Sequence, residues 1–178
     1  MNKLKTFSFG YSIFIGLIIA AFIKLFIIEF LVVDGISMEP TIKNHQTIII
    51  NKLSYGLQNP FGSKLLIQWA KPQKNDIIVY LYKNNLVVKR CIGIENTRLD
   101  YLEESKYYLL VDYKEKIPLT NEQYQNLKQC FNIPKDYVFA IGDNYDDSFD
   151  SRNYGFIPTS NVLGKVICKW MIFFLEKN

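Results

Sequence analysis

Ser37 stands in Ser37-Met38-Glu39-Pro40-Thr41, and Lys89 precedes Arg90 at the end of the apolar run Leu86-Val87-Val88. Further on, Gly142 opens the polar stretch Gly142-Asp143-Asn144-Tyr145-Asp146-Asp147-Ser148-Phe149-Asp150-Ser151-Arg152. A serine hydroxyl is a weak nucleophile until a base takes its proton. Histidine is the usual base, but the single histidine, His45, lies in the polar turn Lys43-Asn44-His45-Gln46 and reads as an exposed loop residue. Lysine can serve instead, provided it is neutral. Its reference pKa is about 10.4, and a base working near neutrality needs roughly 7–8. Burial moves lysine in that direction because a low-dielectric surrounding disfavours the ammonium form. On a strand, Val87, Lys89 and Cys91 share one face, and Val88, Arg90 and Ile92 share the other. Two readings stay open for Lys89: a desolvated base, or a strand lysine whose amine reaches water.

The acidic stretch invites a calcium reading, which its spacing rejects. A calcium loop needs acidic or Asn residues at alternate positions, glycine sixth and glutamate twelfth. Counting from Asp146 puts Ser151 sixth and Ile157 twelfth, and counting from Asp143 puts Tyr145 third. The stretch fits a polar network better, with Asp150 and Arg152 pairing to hold Ser148 against Lys89; an ordinary surface loop is the alternative. Cys91, Cys130 and Cys168 form no C-x-x-C, so neither a zinc site nor a disulfide framework is indicated, although one pair could form outside the cytoplasm. No metal and no cofactor are expected.

The elements that must position these residues read mostly as strands. Thr47–Ile50, Asp76–Tyr82 and Leu86–Gly93 are β-prone, with the turn-forming pair Asn84-Asn85 marking a hairpin between the last two. Tyr107–Val111, Tyr137–Ile141 and Val162–Trp170 are further strand candidates, and Met171–Leu175 reads as a terminal core strand. One helix is expected from the capping box Thr120/Gln123 to about Phe131, before Pro134. Phe61–Lys74 reads as an irregular loop, in which Trp69 and its apolar neighbours either touch a bilayer surface or pack on their own domain.

Ahead of all this, Thr6–Ile23 is a run of eighteen uncharged residues. As a helix it spans about 27 Å, close to the thickness of a bilayer core. The apolar character resumes after Lys24 and continues to Val33, broken by Glu29. The run is long for a cleaved leader and no Ala-x-Ala follows it, which favours an uncleaved anchor. Lys3 and Lys5 before the span put the N-terminus on the cytoplasmic side. The formal charge is +4, half of it within residues 1–33, and no dense Lys/Arg stripe follows. Nucleic-acid binding is therefore not expected.

A serine box, a lysine in a strand and a Gly-Asp-Asn loop, in that order behind an anchor, closely resemble the type I signal peptidases, bacterial leader peptidases with a Ser-Lys dyad. The resemblance covers the anchor and most of the β domain. It implies a mainly β fold: one transmembrane helix, then an all-β catalytic domain with a small insert containing one short helix. The domain boundaries follow as 1–29 for the cytoplasmic N-terminus and anchor, and 30–178 for the catalytic domain, with 96–134 as the variable insert. By resemblance Ser37 is the nucleophile, Lys89 the general base and Ser148 the residue that orients the lysine amine, with Asp150 and Arg152 in support. The implied substrate is a preprotein signal peptide, extended before the cut and small at its first and third positions. It would pair with the strands Leu31–Val33 and Leu86–Val88 and meet pockets lined by Val33, Met38 and Val88. The implied location is the cell (inner) membrane beside the protein-export translocon, single-pass, with the catalytic domain on the outer face of the lipid bilayer.

Three positions depart from the family pattern. Asn75 stands where glycine is usual before Asp76-Ile77-Ile78-Val79. Ile94-Glu95-Asn96-Thr97 replaces the usual Pro-Gly-Asp after Lys89-Arg90-Cys91-Ile92-Gly93. Gly35 lies where some relatives carry a serine that helps hold the oxyanion, leaving the Ser37 N–H as the identifiable donor. The alternatives to a signal peptidase are a self-cleaving Ser-Lys protein like the phage repressors, and a non-catalytic, membrane-anchored peptide-binding β module.

Overall fold

The computed structural model describes residues 2–59 and 65–170. A helix, α1 (Asn2–Phe26), is followed at once by strand β1 (Ile28–Val32) and then β2 (Thr47–Asn51). The eighteen residues Phe9–Phe26 have a mean hydropathy of 2.1 and none is buried against the rest of the protein. An apolar helix of this length is able to span the hydrocarbon core of a bilayer. Helix gives way to strand by Ile28, so the change falls before residue 29 and within the apolar run that continues to Val33.

Next come β3 (Gly56–Gln58), β4 (Leu65–Gln68), β5 (Ile77–Tyr82) and β6 (Asn85–Gly93). The insert contains β7 (Leu99–Glu103), β8 (Tyr107–Val111), β9 (Glu115–Leu119) and α2 (Asn121–Leu127). The chain then forms β10 (Tyr137–Ile141), α3 (Ser151–Tyr154), β11 (Ile157–Pro158) and β12 (Val162–Trp170). Seven strands make one antiparallel sheet in the order β1-β2-β12-β5-β6-β10-β11. The expected hairpin is present, with Tyr82 opposite Asn85 and Ile78 opposite Lys89. The expected mainly β class holds.

Two regions carry more structure than their sequences announce. The segment read as an irregular loop contains β4, which pairs with β3. The insert is a three-stranded sheet, β7-β8-β9, as well as a helix. Its outer strands are short and charged, and β9 contains Pro118, which an edge strand tolerates because its N–H side needs no partner. The helix keeps its capping box at Thr120 and Gln123 but ends at Leu127, short of Phe131. Met171–Leu175 lies outside the described residues.

Three apolar clusters hold the domain together. The first, with Val33, Met38, Ile42, Ile48, Ile50 and Val79, lies behind the Ser37 turn. The second, with Tyr55, Ile78, Tyr80, Cys91, Val138 and Ala140, lies on the Lys89 face of β6. The third joins the insert to the main sheet: Ile92, Phe139 and Ile141 pack with Leu99, Leu109, Val111, Ile117 and Leu127. Phe139 is fully buried there and packs edge-on to Phe156. Replacing it with Ala should cost about 3–5 kcal/mol, the usual range for a buried aromatic. Thermal unfolding in detergent measures this, and an unchanged midpoint would mean that insert and sheet do not share a core.

Candidate active site

The Ser37 turn grows directly from β1. Val33 N–H donates to the Gln46 carbonyl at 3.0 Å and His45 N–H donates to the Val33 carbonyl at 2.8 Å, closing the loop over the start of β2. Inside the loop, Glu39 N–H donates to Ile36 O at 3.0 Å and Ile42 N–H to Met38 O at 2.8 Å. Met38 and Ile42 are buried and pin the turn to the core. Gly35 has φ +109°, a region in which an L side chain is strained, and its N–H donates to Asn44 Oδ1 at 2.9 Å. The backbone at this position therefore favours the glycine found there.

Lys89 is only 4% exposed. It sits on the β6 face shared by Val87 and Cys91, as alternation requires, opposite the fully buried Ile78. Its Nζ donates to Ser37 Oγ at 2.5 Å. Burial holds the amine below the usual lysine range; Asp150 and Asp143 pull it back up, and Arg152 adds to the depression. A neutral amine reverses the contact, so that the Ser37 hydroxyl donates to the nitrogen lone pair. The same face pushes the Cys91 thiol up to about 12, mainly by burial, which keeps it protonated. All three cysteines are free. His45 is exposed in its turn, as its polar setting suggested.

The polar loop is a built network. The Asp150 and Arg152 side chains are 0% and 2% exposed and form a two-point ion pair, Nε to Oδ1 and Nη2 to Oδ2, both 3.0 Å. Asp150 also caps α3, accepting from the Arg152 backbone N–H at 3.1 Å. Its Oδ2 accepts from the Ser148 hydroxyl at 2.6 Å and from Gly142 N–H at 3.0 Å. Arg152 Nη2 donates to the Tyr145 carbonyl at 2.8 Å, which ties the two ends of the loop together. The expected pairing of Asp150 with Arg152 is present, and Asp150 holds Ser148. Among the described residues, however, the Lys89 amine hydrogen-bonds Ser37 and not Ser148.

Gly142, Asn144 and Asp143 join this network to the serine and the lysine strand, a role the sequence reading did not assign to them individually. A Cβ on Gly142 would lie 2.4 Å from the Ser37 carbonyl oxygen and 2.3 Å from Ser148 Oγ, so only glycine fits. Asn144 donates its backbone N–H to the Ser37 carbonyl at 3.1 Å and its side-chain amide to the Ile36 carbonyl at 3.3 Å. Asp143 takes two hydrogen bonds from Arg90, at 2.8 and 2.7 Å. Burial pushes the Asp143 carboxyl up, but Arg90 and Thr41 prevail and hold it below the usual range. The signal for these residues was their place in Gly142-Asp143-Asn144; their partners lie far away in sequence.

A groove of about 420 Å³ ends on Ser37 and Lys89. One wall is Leu31 to Asp34 and the other is Leu86 to Val88, with Phe149 at the loop side. Both walls offer backbone. β1 is the outermost strand of its sheet, and β10 pairs with β6 at Arg90, Cys91 and Gly93, beyond the groove. Val33 and Val88 line the groove as expected. Met38 is 1% exposed and lies behind the wall in the core, not on the groove surface.

The family described as "Signal peptidase, peptidase S26" matches residues 6–171. A signal peptidase I of Bacillus caldolyticus is 30% identical over 173 residues, covering 90% of this chain and 88% of its own. The signal peptidase I of Buchnera aphidicola subsp. Baizongia pistaciae is 27% identical, covering 90% of this chain and 75% of its own. A crystal structure of signal peptidase I from Enterococcus faecalis overlaps 55% of this chain and 97% of its own, with 23% identity and a TM-score of 0.37. The family match spans nearly the whole chain, and the serine, lysine and polar loop that suggested it meet in one place: the chain belongs to the signal peptidase family, peptidase S26, and is a serine endopeptidase that cleaves signal peptides.

Proposed function

We propose that Ser37 is the nucleophile and Lys89 the general base of this peptidase, acting on exported preproteins at the outer membrane face. The observation that carries the reading is the 2.5 Å contact between Ser37 Oγ and a buried Lys89 Nζ in a groove between two free strand edges. An extended preprotein segment pairs with Leu31–Val33 and Leu86–Val88, and its first and third side chains before the cut face Val33 and Val88. Met38 contributes from behind, by fixing the depth of the wall.

With the carbonyl carbon beside Ser37, Oγ attacks as its proton passes to neutral Lys89 Nζ. The Ser37 N–H, which has no acceptor among the described residues, is the candidate donor to the oxyanion. The carbon–nitrogen bond then breaks, and the Lys89 ammonium protonates the leaving amine. Neutral again, Lys89 takes a proton from water as it attacks the acyl ester, then returns that proton to Ser37 Oγ. Ser148 and Asp150 hold the loop beside Ser37 through Gly142. Arg152 neutralises Asp150, so that the carboxylate draws Lys89 toward its charged form less strongly.

Residues 1–29 serve as cytoplasmic N-terminus and anchor, and residues 30–178 as the outer catalytic domain, with Lys3 and Lys5 holding the N-terminus inside. Exposed Phe30, Val32, Leu66, Ile67 and Trp69 support contact with the lipid bilayer, and such a site belongs near the protein-export translocon. Trp69 is tied to the domain by its indole N–H, which donates to the Leu53 carbonyl at 3.1 Å, while its ring remains exposed.

Ser37→Ala, Lys89→Ala and Lys89→Arg should each lower kcat/KM for a preprotein by about a thousandfold or more, as loss of a nucleophile or its base does. His45→Ala should stay within about twofold of wild type. Turnover by folded Ser37→Ala would overturn the assignment.

Because the folded pKa of Lys89 lies below its unfolded value, the neutral form appears with rising pH. The rate should therefore rise along an acid limb that reports this amine. In the window between the two pKa values the unfolded chain binds more protons, so this group also makes stability rise with pH, a slope that Lys89→Met should remove. Full activity at pH 5 would contradict a lysine base.

Arg152→Met should lower stability by about 3–5 kcal/mol, because it strands a buried carboxylate. It should also move the acid limb to higher pH, as the unpaired Asp150 favours the Lys89 ammonium. A less stable variant with an unmoved limb would reduce Arg152 to a structural role.

A further inference from the structure

A second hollow, of about 190 Å³, adjoins the groove on the side away from Ser37 and shares Leu31 and Leu86 with it. Its apolar lining is completed by Ile50, Val79 and Leu163. The polar side chains at its rim pair with their surroundings. Lys52 Nζ lies 3.5 Å from Glu29 Oε2 and donates to the Leu25 carbonyl, in the last turn of α1, at 2.8 Å. Gln58 donates its amide to the Leu163 carbonyl. What remains to meet an occupant is mostly hydrocarbon.

The strands give this hollow a fixed place along a bound peptide. β1 and the first half of β6 both run toward the site, numbers rising to Ser37 and to Lys89. Walking back along them leads to Leu31 and Leu86, then to Glu29, then to the end of the apolar helix. The upstream part of a signal peptide comes from the bilayer, so a peptide parallel to both strands enters from the helix end and presents its cleavage bond at Ser37. Along β1, Glu29 and Leu31 are half-buried and Val33 is buried, all on the inner side, while Phe30 and Val32 point outward. A paired peptide alternates in the same way, so its first, third and fifth side chains before the cut share the inner face. At about 3.3 Å per residue, the fifth lies about 13 Å upstream of the first. That distance carries it past Leu86, three residues before Lys89, and into the hollow.

We propose that this hollow is a binding subsite for an aliphatic side chain at the fifth residue before the scissile bond. The proposal rests on the catalytic assignment of Ser37 and Lys89 and on the groove described above. It gives the enzyme a preference beyond its small first and third positions, set by Ile50, Val79 and Leu163.

The test uses the full chain in detergent and a preprotein it cuts, with leucine placed in turn at the fourth, fifth and sixth positions before the bond. Changing Leu to Asp at the fifth should lower kcat/KM about tenfold or more, and at the fourth or sixth by less than about threefold. Leu163→Trp, which fills the hollow, should shrink the ratio of kcat/KM for Leu over Ala at the fifth position to within about twofold. Equal penalties at all three positions, or an undiminished leucine advantage in folded Leu163→Trp, would overturn the subsite. If that variant does not fold, the position scan on wild-type protein decides alone. A reference preprotein left uncut by wild type would instead overturn the catalytic assignment, and the subsite with it; a cut reference with flat penalties overturns the subsite only.

Discussion

Desolvation of one amine is the constraint on which the rest of this structure depends. Lysine in water is charged and has no lone pair to offer. Here the amine ends at Ser37 Oγ, enclosed by the face of β6 that also carries Val87 and Cys91 and is backed by Ile78 and Tyr80. Burial alone would not suffice if nearby carboxylates were free to attract a proton. Asp150 and Asp143 are the two that act on Lys89, and each is engaged by an arginine: Asp150 by Arg152 and Asp143 by Arg90. The loop can therefore be rich in aspartate while the Lys89 amine stays below the usual lysine range.

The same residues hold Ser37 and Lys89 in register. Gly142 packs between the Ser37 carbonyl and Ser148, Asn144 grips the two carbonyls of the serine turn, and Arg90, the neighbour of Lys89 on β6, holds Asp143. Serine, lysine and loop come from distant parts of the chain but are fastened to one another within a few residues of the chemistry. Both groove walls include strand backbone with a free edge, which leaves N–H and C=O groups available for pairing with an extended peptide. α1 runs into β1 with a single residue between them, which joins the apolar helix directly to one wall of the groove.

Much of this was legible in the sequence. Val87-Val88-Lys89-Arg90-Cys91 states its own alternation, and the structure follows it: Val87 and Cys91 pack on one cluster, Val88 on another, and Arg90 turns to Asp143. Thr120 and Gln123 announce their capping box locally and form it. The features that escaped depend on distant partners. β7 and β9 have weak β character, with Asp100, Glu103, Glu115 and Pro118, and are strands because β8 lies between them. β4 exists because Ile67 meets Leu57. Met38 sits beside Ser37 in sequence and suggested a pocket wall, yet its side chain faces the core, which no spacing rule reveals. The Ser148 hydroxyl donates to Asp150, a partner set by the fold of the loop rather than by any local spacing.

The charge on one nitrogen, Lys89 Nζ, can be observed without turnover. Side-chain nitrogen NMR of lysine-labelled protein in detergent, carried out on the Ser37→Ala chain and assigned by loss of a signal in Lys89→Arg, follows each Nζ through a pH titration. Lys71, which hydrogen bonds to Asp136 and Glu95 push above the usual lysine range, provides an internal contrast. Lys89 should lose its proton at a lower pH than the exposed lysines, with Lys71 at the opposite extreme. A Lys89 signal that titrates together with the exposed lysines would contradict it.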